Sequence, residues 1–120
     1  MNPEDRARYE ADEVAASGRY VARSERHEQK ILNNWLNIQL AEHKLWPINP
    51  RSDKASTIRR GHPDYTIWLP ERVLLMEMKV DGGVLSQFQL DAITTLAQLG
   101  HTVQLPQSAA EAIAIVQKFL

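Results

Sequence analysis

Two acidic residues and a lysine are spaced so that they could meet. Asp64 follows Gly61-His62-Pro63, and after twelve intervening residues Glu77-Met78-Lys79 closes an apolar run that starts at Val73. Strand alternation over Val73 to Lys79 puts Glu77 and Lys79 on one side with Val73 and Leu75, which predicts a buried face ending in a carboxylate and an amine. The preceding run, Tyr65 to Leu69, is rich in aromatic and β-branched residues, and Pro70-Glu71 supplies a turn between the two. Such a hairpin brings Asp64 opposite Glu77. Two carboxylates at short range raise each other's proton affinity unless a cation lies between them. The chain has no cysteine, and its four histidines, His27, His43, His62 and His101, show no ligand spacing, which argues against zinc. Oxygen donors alone favour Mg²⁺ or Mn²⁺, ions that keep coordinated waters and bind phosphate oxygens. The chemistry expected of such a trio is phosphodiester hydrolysis, with Lys79 holding the attacking water or offsetting charge in the transition state.

The surrounding elements must carry these groups. From Ser24, a helix N-cap, Ile31, Leu32, Trp35, Leu36 and Ile38 recur at helical spacing and predict one apolar face up to about Glu42. Leu45 to Ile48 fits a short edge strand, because Pro47 removes a ladder donor. Asn49 to His62 reads as an extended loop. Asp81 to Gly83 break the chain, and Ser86 with Gln89 makes a capping-box pattern opening a helix that ends at Gly100. Thr102 to Leu105 predicts a strand, and Ser108 with Glu111 a second capping box before an apolar-striped helix from Ala109 to Phe119. A helix joining the second hairpin strand to that later strand permits parallel pairing, so the expected architecture is a mixed sheet with helices on both faces. Trp35, Trp46 and Trp68 are expected in the core.

Composition narrows the function classes. A chain of 120 residues fits one domain able to bury its own core, and no apolar run approaches the roughly 18 residues of a membrane span. The charged start, Met1 to Glu13, resembles neither a secretory signal nor a transit peptide, so a cytosolic location and no membrane partner are expected. A net charge of −1 argues against a protein that coats nucleic acid indiscriminately. Positive charge is local instead: Lys44, Arg51, Lys54, Arg59 and Arg60 face only one acid, Asp53, between residues 44 and 60. Next to a phosphate-hydrolysing site, Arg51, Lys54, Arg59 and Arg60, with His62 nearby, form a candidate clamp on the DNA backbone.

The same residues resemble a known family. Gly61 to Asp64 followed by Glu77-Met78-Lys79 resembles the PD-(D/E)xK nuclease signature, and more narrowly the virus-type replication-repair nuclease domain, VRR-NUC. Ser24, Glu25 and Gln29 match that family's helix motif, Leu85, Ser86 and Gln89 its Leu-Ser-x-x-Gln, and Gly100 to Val103 its Gly-x-x-Val. The resemblance spans residues 24–120 and leaves residues 1–23 as a charged extension. It implies an α/β, restriction-endonuclease-like αβββαβ core with an extra C-terminal helix. It also implies a metal held by Asp64, Glu77 and the main-chain carbonyl of Met78, with Glu25 adding a ligand or a water contact and Gln89 supporting the site. Stand-alone members are similar to Holliday-junction resolvases acting as homodimers, which implies branched DNA as substrate and a second copy as partner.

Each residue also has a plainer reading. A lone Glu-x-Lys is more often a surface ion pair, an Asp after a proline a turn residue, and Gln89 is accounted for by capping alone. Flap or single-strand cleavage, a non-catalytic module binding branched DNA on the same fold, and an assembly protein using residues 1–23 are the competing functions.

Overall fold

The computed structural model describes residue 3 and residues 24–49, 58–81 and 83–120. The 1–23 extension, apart from that one position, and the loop positions Arg51 and Lys54 lie outside the described residues.

Helix α1, Glu25–Ala41, starts where expected: Ser24 is extended and its side chain accepts the His27 N–H at 3.3 Å. It ends at Glu42, with His43 in the left-handed region (φ 59°). Strand β1, Trp46–Ile48, pairs antiparallel with β2, Tyr65–Leu69, which forms a tight hairpin with β3, Arg72–Met76, through Pro70 and Glu71. Helix α2, Gln87–Gln98, crosses to β4, Val103–Gln104, which lies parallel to β3. Helix α3, Ala109–Gln117, closes the chain. The sheet order is β1-β2-β3-β4, the mixed α/β architecture expected from the order of the elements.

The core lies between one sheet face and helices α1 and α3. Tyr65, Ile67 and Leu69 of β2, with Leu74 and Met76 of β3 and Met78 beyond it, meet Ile31, Leu32, Trp35 and Leu36 of α1 and Ala109, Ala112, Ile113 and Val116 of α3. Each large side chain so buried contributes roughly 1.5–3 kcal/mol. The buried face of β3 is therefore Leu74, Met76 and Met78, and the expectation for Val73 and Leu75 is corrected: Val73 is 43% exposed. Alternation does place Glu77 and Lys79 together, but on the opposite, outer face, where α2 lies.

That outer face also corrects the tryptophans. Trp35 is buried, whereas Trp46 and Trp68, register partners across β1 and β2, are 61% and 52% exposed. Helix α2 contacts the β4 end of the sheet and buries none of its own residues, so among the described residues no helix lies over the β1–β2 end of this face. On α1, Ile38 is exposed and Gln39 takes the buried position, because the core-facing stripe continues at 28, 31, 32, 35, 36 and 39.

The two caps differ. Ser86 and Gln89 close the box in both directions. Ser108 accepts the Glu111 N–H, but the Glu111 carboxylate takes the Gln107 N–H instead of that of Ser108. A buried carboxylate from far away helps here: Glu28 accepts the Ala109 N–H at 3.0 Å and joins the start of α3 to the first turn of α1.

Candidate active site

The hairpin brings Asp64 and Glu77 together at the open end of β2 and β3. Beyond Met76 the chain leaves β2 but stays beside β4: Glu77 donates its N–H to Gln104 and Lys79 donates to Pro106, at 2.9 and 3.1 Å. Residue 78 between them turns its peptide groups the other way, and its N–H donates to Asp64 Oδ2 at 3.0 Å. Reciprocally, the Asp64 N–H donates to Glu77 Oε2 at 3.1 Å. Each carboxylate is thus aimed by a main-chain donor next to the other, a lock that neither strand could supply alone.

Gln89 serves both roles that its position allowed. Its Oε1 accepts the Ser86 N–H at 2.8 Å, completing the cap, and this leaves its amide nitrogen to donate to Glu77 Oε1. The cap therefore orients the side chain that holds Glu77.

Burial sets the electrostatics. Glu77 is 2% exposed, and its carboxyl is pushed up to about 8, first by burial and then by the Asp64 carboxylate; the Asp64 N–H and Lys79 pull the other way. Asp64 is also raised by burial, against the Met78 N–H, the Lys79 charge and a hydrogen bond with Glu77 itself. Two like charges in one site raise each other's proton affinity unless a cation lies between them. Glu25, at the start of α1, feels both Lys79 and Asp64; burial raises its carboxyl, and its Oε1 is buried without a hydrogen-bond partner.

These groups fit a hard divalent ion. Asp64 and Glu77 supply two carboxylates whose proton affinity is raised without a cation, and Met78, whose N–H donates to Asp64, would add its peptide carbonyl. The unpartnered Glu25 oxygen is a further acceptor with an unmet need. No group of three or more His, Cys, Asp or Glu side chains among the described residues is arranged to hold a metal ion. Glu25, whose carboxyl feels Asp64 and Lys79, would add a ligand or a water contact to such an ion.

The remaining expected residues surround this point. Gly61 has φ +88°, and a Cβ there would lie 2.2 Å from the Phe88 carbonyl oxygen, so the turn before Asp64 is pressed against the first turn of α2. Arg60 stacks its guanidinium 4.2 Å above the Phe88 ring, and His62 Nε2 lies 3.3 Å from Thr66 Oγ1, both at the surface beside Asp64. Arg59 is exposed in the same turn. The sequence reading missed Tyr65 and Glu28. Tyr65, buried below Asp64, donates its hydroxyl to the Gln29 main-chain carbonyl at 3.4 Å, tying β2 to the first turns of α1 that carry Glu25. Burial and the neighbouring carboxylates keep its phenol protonated. The only signal for either was an aromatic or acid at a position facing the core.

Metal-free stability follows from the Glu77 shift. A carboxyl that keeps its proton to about pH 8 in the fold, against 4.5 ordinarily, binds more protons folded than unfolded between those values. Stability is then full below about pH 4.5 and falls as pH rises toward 8. The melting temperature in EDTA is expected to drop by roughly 5 °C or more between pH 5 and pH 8, and Mg²⁺ should restore more at pH 8 than at pH 5, because metal competes with the proton. A flat profile by differential scanning fluorimetry would contradict the raised Glu77 carboxyl.

The arrangement of the strands, the crossover helix and the paired acids defines a restriction-endonuclease-like fold. A solved structure described as a VRR_NUC domain protein superposes with a TM-score of 0.63 at 20% sequence identity, covering 82% of this chain and 89% of that one. No family model and no curated protein matches the chain. The chain has the VRR-NUC fold, an α/β domain with a mixed four-stranded sheet. Among the described residues, no helix is long and apolar enough to cross a membrane.

Proposed function

We propose that this protein is a VRR-NUC nuclease that hydrolyses DNA phosphodiester bonds with Mg²⁺ or Mn²⁺. The observation that carries the reading is the convergence of Asp64 and Glu77, each aimed by a main-chain N–H beside the other, with Lys79 on the same face as Glu77. Asp64, Glu77 and the Met78 carbonyl would hold the ion, and Glu25 would accept from water bound there. When bound, such an ion polarises a phosphoryl oxygen and lowers the pKa of the attacking water. Gln89 keeps Glu77 in the orientation that its cap imposes. Lys79 offers an ammonium to the nucleophilic water or to the charge that develops on the phosphorane-like oxygens. Arg59, Arg60 and His62, with Arg51 and Lys54 in the preceding segment, would grip the backbone near the cut without reading bases.

Branched DNA, a four-way junction above all, is the proposed substrate, and a homodimer the proposed active form. Paired symmetric cuts need two sites in fixed relation, and one protomer carries one site. Labelled duplex, flap, splayed-arm and four-way DNA, incubated with Mg²⁺, Mn²⁺ or EDTA, test the reading. Metal-dependent paired incision of the junction is expected, alongside a dimer by sedimentation velocity. Preferred trimming of flaps or single strands by a monomer would move the substrate to that alternative, and junction binding without cleavage in any metal would leave only a binding module.

A further inference from the structure

Helix α1 has an outward side that the catalytic arrangement does not use. Arg26, Lys30, Asn33 and Asn37 recur at four-, three- and four-residue steps, which stacks them along the side opposite the core-facing stripe. His27 and Asn34 flank the row. No carboxylate lies on this side between residues 26 and 41. The two acids of the first turn are both turned elsewhere: Glu28 is buried against Ala109, and Glu25 feels the Lys79 and Asp64 charges. In a chain with a net charge of −1, a helix side of cations and amides without an acid is a local departure.

The surface is also concave. Arg26, His27, Gln29, Lys30, Asn33 and Asn34 line a shallow open groove of about 500 Å³. Its walls present a guanidinium, an ammonium and side-chain amides, the donors that contact phosphate and sugar in nucleic-acid complexes. The groove adjoins the candidate active site: Gln29 takes the Tyr65 hydroxyl on its main-chain carbonyl, and Arg26 follows Glu25 directly. From Arg26 to Asn34 the helix rises ~12 Å, the length of about three or four phosphates along one strand of a duplex. At its far side Asn33 accepts from the Asn49 side chain at 3.4 Å, which joins the groove to the point where the chain enters the segment bearing Arg51 and Lys54.

We propose that this groove seats the sugar–phosphate backbone of the nucleic-acid strand running to or from the scissile bond, with Arg26 and Lys30 neutralising two phosphates. The assignment rests on the nuclease reading for the class of ligand. It adds a contact surface on α1 distinct from the turn that bears Arg59 and Arg60.

The test is equilibrium binding of fluorescently labelled single-stranded and duplex oligonucleotides to the full chain in EDTA, measured by anisotropy over a range of salt concentrations. The double variant R26A/K30A is expected to bind both DNAs more weakly at low salt. The slope of log affinity against log salt should fall in magnitude by about 1.4 for single strands and 1.8 for duplex, the release expected for two lost phosphate contacts. K118A, which removes a cation from the end of α3, should keep the wild-type slope. Melting temperature and its rise with Mg²⁺ should match wild type in R26A/K30A, separating lost contacts from lost fold or lost metal. A wild-type slope in the double variant overturns the groove, and so does a wild-type protein that binds neither DNA. If wild type cuts DNA while R26A/K30A keeps full affinity, the groove fails and the nuclease reading stands. If wild type cuts no substrate but binds with an Arg26- and Lys30-dependent slope, the nuclease reading fails and the groove stands.

Discussion

Replacing Asp64 with Asn is expected to lower the rate of DNA cleavage by about a thousandfold or more while making the metal-free protein more stable at pH 8. The loss follows from removing one of the two carboxylates that would hold the ion. Enzymes that lose a single group stabilising transition-state charge commonly fall by about 10²–10³ in rate, and groups acting as a unit fall further. The gain in stability has a separate cause. Asp64 Oδ2 accepts the Met78 N–H, and an asparagine oxygen can do the same. The neutral asparagine would also remove the charge that raises the Glu77 carboxyl. Asp64→Asn removes one of two buried like charges without breaking either main-chain bond, so its melting temperature in EDTA should fall less between pH 5 and pH 8 than that of wild type. Mg²⁺ should no longer raise it. Glu77→Ala should be as inactive but not stabilised, because the Asp64 N–H and the Gln89 amide lose their acceptor. Junction cleavage and melting curves on the three proteins side by side decide the matter. Cutting by Asp64→Asn at more than a few per cent of the wild-type rate would remove the carboxylate pair from the mechanism.

The second large effect is expected at Gly61, whose role is steric. Its φ of +88° alone costs a residue with a side chain roughly 1–2 kcal/mol. The added Cβ would also lie 2.2 Å from the Phe88 carbonyl oxygen, a main-chain atom that no rotamer change can move. Gly61→Ala must therefore push the turn off α2 and lift Arg60 from the Phe88 ring. Asp64 is three residues away, so the carboxylate that completes the site shifts with the turn. Displacement of a catalytic group by ~1 Å can cost about a hundredfold in rate. A loss of at least that size is expected, with a folded protein that melts several degrees lower. Gly100→Ala is the matched control: it has φ +92° but nothing within 4 Å of an added Cβ, so it bears the backbone cost alone. Near-wild-type cleavage by Gly100→Ala beside the failure of Gly61→Ala separates the close approach from the positive φ. Equal behaviour of the two would mean that the contact with α2 does not position Asp64.

Much of this protein was legible in its sequence because the determinants are local. Ser24, Ser86 and Ser108 mark helix starts through hydrogen bonds spanning three residues, and Pro70-Glu71 sets a hairpin whose register follows from its length. That register places Asp64 near Glu77, so the acidic pair could be read before any packing was known. The period of two on β3 likewise put Glu77 and Lys79 on one face. Other features depended on which elements the fold sets against each other. Alternation divides a strand into two faces but does not say which one a helix covers, and Leu74, Met76 and Met78 rather than Val73 and Leu75 are buried because α1 and α3 pack on their side. Trp46 and Trp68 are exposed for the same reason, as α2 covers only the β4 end of the opposite face. The long-range links were invisible for a simpler cause. Glu28 to Ala109 spans 81 positions and Tyr65 to Gln29 spans 36, and no periodicity or cap encodes a partner at that distance. Residue types along the chain thus determined the helices, the hairpin and the meeting of Asp64 with Glu77. Tertiary packing alone decided which sheet face is dry, how Gln89 is turned onto Glu77, and how α1 is held so that Glu25 reaches the pair, since burial and long-range hydrogen bonds arise only when separate elements come together.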